Sequence, residues 1–232
     1  MSFALTLECL IVSFAGISCV RFRSTMAELE ALMKLLGIQP ELEGLEFSED
    51  VFPGNEAQIV VEEKGTHQYM KAQWGLIPSW SKNPDFGKKS TYNARSETVA
   101  TLPSFESAYR NRRCIVPIAS FLEQCDGRWL HMIPTDGKVL GVAGLYENAH
   151  ITDLPTFTIV TTVPNELIGK VHDRMPVILE EKDYGLWLSK TTSLSALPSL
   201  LIPCKSERLE IKDFGPTKRK PEPPKQHGLF DE

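Results

Sequence analysis

Residues 113–123 read Arg113-Cys114-Ile115-Val116-Pro117-Ile118-Ala119-Ser120-Phe121-Leu122-Glu123. The run from Cys114 to Glu123 is rich in β-branched and apolar residues and predicts strand. Downstream, Trp129–Ile133, Val139–Tyr146 and Phe157–Thr162 have the same character, with turns at Asp126-Gly127 and Asp136-Gly137. Upstream, Gln58–Val61 and His67–Gln73 predict two strands around a Lys64-Gly65 turn. Helices are few. Thr25-Met26-Ala27-Glu28 has capping-box spacing, and Leu29, Leu32, Met33, Leu35 and Leu36 follow at helical spacing until Gly37. Pro103–Arg110, Asn165–Val171 and Glu181–Ser189 predict short helices, and 38–56 and 74–84 predict loops. Many short strands with a few helices predict a single α+β domain whose mixed β-sheet curls toward a barrel.

The chain has 232 residues, 42% hydrophobic and 24% charged, which is the composition of a globular domain able to bury its own core. Lys and Arg total 25 against 30 Asp and Glu, for a net charge of -5. A polybasic protein is excluded, so any nucleic-acid contact must come from a local basic patch. The five cysteines, Cys9, Cys19, Cys114, Cys125 and Cys204, show no CxxC spacing. A disulfide framework, a structural zinc site and a cofactor are therefore not expected, and a reducing compartment is.

The termini differ from the middle. Residues 3–20, FALTLECLIVSFAGISCV, are the most apolar stretch. No Lys or Arg precedes Arg21, and Glu8 interrupts the run, so it makes a poor secretory signal. It also falls short of the roughly 20 clean apolar residues of a membrane span. A buried strand and an upstream extension both remain as readings. The end, PTKRKPEPPKQHGLFDE, is rich in Pro and Lys and reads as a tail. The expected division is 1–18 extension, 19–213 domain and 214–232 tail.

Four segments concentrate polar and aromatic residues: Trp74-Gly75-Leu76-Ile77-Pro78-Ser79-Trp80, Tyr92-Asn93-Ala94-Arg95-Ser96-Glu97-Thr98, Arg113-Cys114-Ile115-Val116-Pro117 leading to Glu123, and His172-Asp173-Arg174-Met175-Pro176. Singly, each has an ordinary explanation: core packing, turn chemistry, a rim carboxylate, a helix-end histidine. Together and in this order they resemble the SRAP (SOS response-associated peptidase) domain family over roughly Cys19 to Glu210.

The resemblance implies a DNA-damage protein that binds single-stranded DNA and covalently traps abasic sites through an amino-terminal cysteine as a thiazolidine. It also implies a self-processing peptidase activity. On this resemblance Cys19 is the nucleophile, Asn93 binds the abasic sugar, Glu123 assists proton transfer and His172 protonates the sugar oxygen. Arg95 contacts phosphate. Trp74, Pro78 and Trp80 form the wedge and floor for bent DNA. Arg21, Arg113 and Arg174 complete the DNA contacts, and Arg110, Arg112, Lys88 and Lys89 add to a cationic groove. The chemistry fits these residue types, since aldehyde capture needs a nucleophile and a proton shuttle near neutral pH. Single strands bind through aromatic faces and a cationic groove. The expected partner is single-stranded DNA with abasic sites, without a membrane, and a monomer is expected. The setting would be cytoplasmic and nucleoid-associated in a bacterium or phage, nuclear in a eukaryote.

The sequence departs from the family at its start. The family begins Met-Cys-Gly-Arg-Phe; here Ser18-Cys19-Val20-Arg21-Phe22 stands behind an 18-residue extension. As written, the nitrogen of Cys19 is an amide and cannot form an imine. Cleavage after Ser18 would restore the chemistry. A terminal Ser2 closing a labile oxazolidine, and an inactive domain with a degenerate start, are the other readings. Three functions follow: an abasic-site crosslinking protein, a thiol peptidase, and a single-strand binder without a nucleophile.

Overall fold

The computed structural model describes residues 19–39, 49–88 and 90–216. The expected extension and Lys89 lie outside these residues. Along the chain come β1 (Phe22–Arg23), α1 (Met26–Leu35), β2 (Asp50–Val51), β3 (Glu56–Glu63), β4 (Thr66–Trp74) and β5 (Asn93–Arg95). Then follow α2 (Glu106–Asn111), β6 (Arg113–Ile118), β7 (Ser120–Cys125), β8 (Arg128–Pro134) and β9 (Leu140–Glu147). The last are β10 (Thr156–Thr162), β11 (Met175–Pro176), α3 (Tyr184–Leu188) and β12 (Leu209–Pro216).

The 113–125 stretch builds both sheets. β6 lies between β9 and β3 in a mixed sheet ordered β11-β10-β4-β3-β6-β9, with β5 beside β10. After one residue the chain enters an antiparallel sheet ordered β12-β8-β7-β1-β2. The switch is pinned at Ala119, whose amide donates to the Arg23 carbonyl at 2.8 Å. Strands that change sheet in this way turn the corners of curled β structures. β10 pairs with β9 and, over Thr156↔Gln73 and Phe157↔Trp74 only, with β4. The mixed sheet therefore curls strongly, as the strand-rich pattern predicts.

Burial on both faces explains the unbroken apolar run. Cys114, Val116 and Ile118 face a core shared with Phe22, Trp74, Phe121 and Phe157. Ile115 points the other way, into a second core with Leu29, Leu32, Tyr109 and Trp187 from the helices. A strand buried on one face alone would alternate apolar and polar residues. α1 starts where the capping box predicts it, with the Thr25 and Glu28 side chains satisfying the first-turn amides.

Three expectations need correction. Asn165–Val171 forms a single 3-10 turn at Ile168–Lys170, opened by Asn165 Oδ1 accepting from the Ile168 amide at 2.9 Å. Gly169 disfavours longer helix there. β2 falls inside the stretch read as loop. β12 runs past residue 213, pairing Gly215 with Trp129 and Pro216 with Arg128. Among the described residues no helix is long and apolar enough to cross a membrane.

Candidate active site

Three side chains from distant parts of the sequence gather at the backbone of Cys19, just before β1. The pairing Phe22↔Phe121 sets β1 against β7, and the Leu122 amide donates to the Arg21 carbonyl at 3.0 Å. This register lays Cys19 beside Glu123. The Cys19 backbone N–H donates to Glu123 Oε1 at 2.8 Å. Cys19 itself is fully buried, and its φ of +44° is unusual for a residue with a Cβ. From β5, held to β10 by the Ile159↔Asn93 register, Asn93 Nδ2 donates to the Cys19 carbonyl at 3.1 Å. Cys19 is thus gripped at both its nitrogen and its carbonyl.

His172 closes the site. Its backbone N–H donates to the Ile168 carbonyl at 2.9 Å, so the 3-10 turn sets its position. Nε2 lies 4.0 Å from Glu123 Oε2. That separation exceeds a hydrogen bond, and an oxygen about 2.8 Å from both atoms would sit to one side of the line joining them. Nδ1 lies 3.1 Å from the Arg174 amide and 3.1 Å from Asp173 Oδ1. The neutral ring accepts from the amide, and the imidazolium donates to the carboxylate.

Burial dominates the electrostatics. Glu123 is pushed up from 4.5 to about 8, chiefly by desolvation; the Cys19 N–H works against this and the Asp173 charge adds to it. The Cys19 thiol is raised well above its ordinary value by burial and then by Glu123, and an amide donated by Arg21 opposes both. A thiol in this state needs a base before it can attack. Burial likewise raises Cys114 and takes Cys204 to about 11, which suits inert core thiols.

The structure separates the remaining site expectations. Trp74 is 1% exposed, packed against Phe22 and stacked on Phe157, with Nε1 donating to the Tyr92 carbonyl at 2.7 Å. It is not a surface wedge; it braces the two segments that carry Cys19 and Asn93. Pro78 is buried as well. Trp80 is 57% exposed, edge-on to Phe86, with Nε1 on the Pro103 carbonyl. The two loops beneath it touch at Gly75 and Gly87: a Cβ on Gly75 would sit 2.6 Å from the Gly87 oxygen.

Only some of the cations face solvent. Arg95 is exposed at the end of β5. Arg113 is 2% exposed, and its guanidinium donates to the carbonyls of Tyr109, Arg110, Trp187 and Ser189. It ties α2 and α3 to β6 and does not reach a DNA surface. Arg21 is held by Asp50 at 3.0 Å and lies over the rings of Phe52, Trp129 and Phe214. Arg174 forks onto Glu97 at 2.6 and 2.9 Å. Arg110 pairs with Glu106, Arg112 with Glu147 and Lys88 with Asp85. Glu97 and Asp173 sit inside two of the segments singled out by sequence, but polar density alone gave them no role.

A curled α+β domain with a buried cysteine, whose own backbone nitrogen meets a carboxyl group, defines the class of protein. Residues 18–216 match the family described as SOS response associated peptidase (SRAP), and the chain belongs to that family. It is 34% identical over 208 residues to the abasic site processing protein YoqW of Bacillus subtilis (strain 168), covering 83% of this chain and 90% of that one. It is 36% identical over 172 residues to YoaM of the same organism, likewise named an abasic site processing protein, covering 70% and 75%. Among solved structures, a Bacteroides thetaiotaomicron protein superposes with a TM-score of 0.73 at 24% identity, covering 84% of this chain and 91% of its own. A Bordetella bronchiseptica protein gives 0.72 at 24% identity, covering 84% and 99%. These two establish the fold.

Proposed function

We propose that this protein captures abasic sites in single-stranded DNA through Cys19 once the peptide bond between Ser18 and Cys19 has been hydrolysed. The observation that carries the reading is the Cys19 nitrogen, directed at Glu123 Oε1 across 2.8 Å. Freed by water, that nitrogen becomes an α-amine on the same residue as a thiol. The names of the relatives YoqW and YoaM, abasic site processing proteins, support the substrate.

The steps balance with water as the only co-product of capture. Protonated His172 gives its Nε2 proton to the ring oxygen of the abasic sugar, the Glu123 carboxylate takes the proton of the anomeric hydroxyl, and the ring opens to the aldehyde. The Cys19 amine adds to the aldehyde carbon, protonated Glu123 gives its proton to the aldehyde oxygen, and neutral His172 takes a proton from nitrogen. Protonated His172 then gives that proton to the departing hydroxyl, which leaves as water, and Glu123 takes the remaining proton from nitrogen, which gives the imine. The thiol sulfur adds to the imine carbon, and its proton ends on nitrogen, closing the thiazolidine. A carboxyl group near 8 is suited to both directions of proton transfer. A protonated amine beside it would pull that value down, because an opposite charge favours the carboxylate. Asn93 fixes the Cys19 carbonyl and so the direction of the nitrogen. Arg95 and Trp80, both exposed, supply phosphate and base contacts. The peptidase named by the family is, on this reading, the Ser18–Cys19 cleavage itself, with Glu123 and His172 as its proton carriers.

The test is a denaturing gel of a chain beginning at Cys19, incubated with an abasic single-stranded oligonucleotide. A heat-stable shifted band that Cys19→Ser abolishes is expected. The same band from Cys19→Ser overturns the assignment.

A further inference from the structure

Both polar groups of the Cys19 main chain are held, and they are held in an unusual shape. The N–H donates to Glu123 Oε1 at 2.8 Å, and the carbonyl accepts from Asn93 Nδ2 at 3.1 Å. Between them φ is +44°, in the left-handed region that a residue with a Cβ seldom enters. Strain of this kind persists only where the surroundings impose it, and here Glu123 and Asn93 grip the residue from both sides. The tetrahedral Cα gives the strain a direction. At an ordinary negative φ, Cβ lies well away from the carbonyl carbon of the preceding residue. At +44° it swings to a gauche position beside that carbon. Rotation about Cα–Cβ then takes the thiol to the Ser18 carbonyl carbon through a five-membered ring of sulfur, Cβ, Cα, nitrogen and that carbon.

We propose that Cys19 is the nucleophile of its own release: its thiol attacks the Ser18 carbonyl carbon and moves the acyl group from nitrogen to sulfur. The inference rests on the reading that Cys19 becomes amino-terminal, and it supplies the nucleophile and the intermediate of that cleavage. In the first step the S–C bond forms and the C–N bond breaks. The Glu123 carboxylate takes the thiol proton and gives it to the departing nitrogen, which becomes the Cys19 α-amine. The product is a thioester, an isomer of the starting chain, and nothing is oxidised or reduced. In the second step one water adds to the thioester carbon. The C–S bond breaks, a proton of that water ends on sulfur, and residues 1–18 leave as a carboxylic acid. One carboxyl group can serve both atoms, because it meets the nitrogen directly and lies near enough to the sulfur to raise its proton affinity. At about 8 it can take and return a proton near neutral pH. Nucleophile and target are joined through one residue, so the attack is intramolecular and gains the advantage of proximity. Breaking the C–N bond also relieves the strained φ.

The test uses the full chain beginning at Met1 and needs no DNA. The chain is made by cell-free synthesis, hydroxylamine is added as synthesis stops, and the products are weighed. Hydroxylamine cuts thioesters and spares amides. Residues 1–18 should leave as the hydroxamate, at least about tenfold faster than they leave as the acid in buffer alone, as a covalent acyl intermediate requires. Cys19→Ala should release nothing. Cys19→Ser should give the same hydroxamate more slowly, by way of an ester, and it decides the matter if Cys19→Ala does not fold. Glu123→Gln keeps an acceptor for the Cys19 N–H but carries no proton, and should slow release about 10²–10⁴-fold. Release from Cys19→Ala at the native rate overturns the proposal. So does release of the free acid alone in hydroxylamine, or a native chain that keeps residues 1–18. In each of those cases a chain beginning at Cys19 that still crosslinks abasic DNA leaves the capture reading standing. A hydroxamate from a protein that never crosslinks removes the capture reading and leaves this one.

Discussion

In the full chain, Glu123→Gln should make the protein more stable than the native sequence at pH 8. Glu123 is 2% exposed, and its carboxyl titrates at about 8 in the fold against 4.5 ordinarily. The native state therefore holds a proton that the unfolded chain has already released between those two values. Unfolding free energy then falls as pH rises through that window and levels off above it. At about 1.4 kcal/mol per unit, the interval corresponds to about 5 kcal/mol. Glutamine keeps an oxygen for the Cys19 N–H, does not ionise and occupies the same volume. Its stability should lack this pH dependence. Urea unfolding of both proteins at pH 5, 6.5, 8 and 9 measures the difference, in which the titration of all other groups cancels. The native chain should lose several kcal/mol relative to Glu123→Gln between pH 5 and pH 9. Parallel curves would refute the argument that burial governs Glu123.

Other substitutions separate structure from binding. Arg113→Met should cost at least about 3 kcal/mol of stability in urea unfolding, since it strands carbonyls that Arg113 now satisfies. The folded fraction should bind DNA with unchanged affinity. Trp74→Ala should cost about 3–5 kcal/mol of stability by emptying a core site. Trp80→Ala should leave stability within about 0.5 kcal/mol and weaken single-strand binding by about 1–3 kcal/mol, the contribution of one stacked base. Arg95→Ala should weaken binding to all sequences alike and lower the salt slope by about one, measured by titration at several salt concentrations.

How much of this was legible depends on the kind of signal. α1 was readable because capping and helical spacing are local. β3, β4 and β6 to β10 were readable because β-branched and aromatic runs are dense. β1, β5 and β11 were not, since strands of two or three residues have no period and exist only through partners such as Phe121 and Ile159. The grouping of Cys19, Asn93, Glu123 and His172 came from motif combination alone, because these residues meet only after two sheets form. Sequence could not tell a solvent-facing arginine from a buried one. Arg95 and Arg113 read alike, yet one ends an edge strand and the other fills a socket of carbonyls. The same holds for Trp74 and Trp80: the WGLIPSW segment crosses from the core to the surface within a few residues, and only the packing of Phe22 and Phe157 shows where.

Intact-mass spectrometry of the crosslink tests the central claim, that the nitrogen and sulfur of Cys19 together bind the sugar, most directly. The chain beginning at Cys19 is mixed with an abasic single-stranded oligonucleotide, heated and weighed. The expected product has the mass of both partners less one water, unchanged by borohydride because no imine remains to reduce. The chain beginning at Met1 should give that adduct only after losing residues 1–18. A stable adduct that still carries those residues would contradict the account, because an amide nitrogen cannot form it.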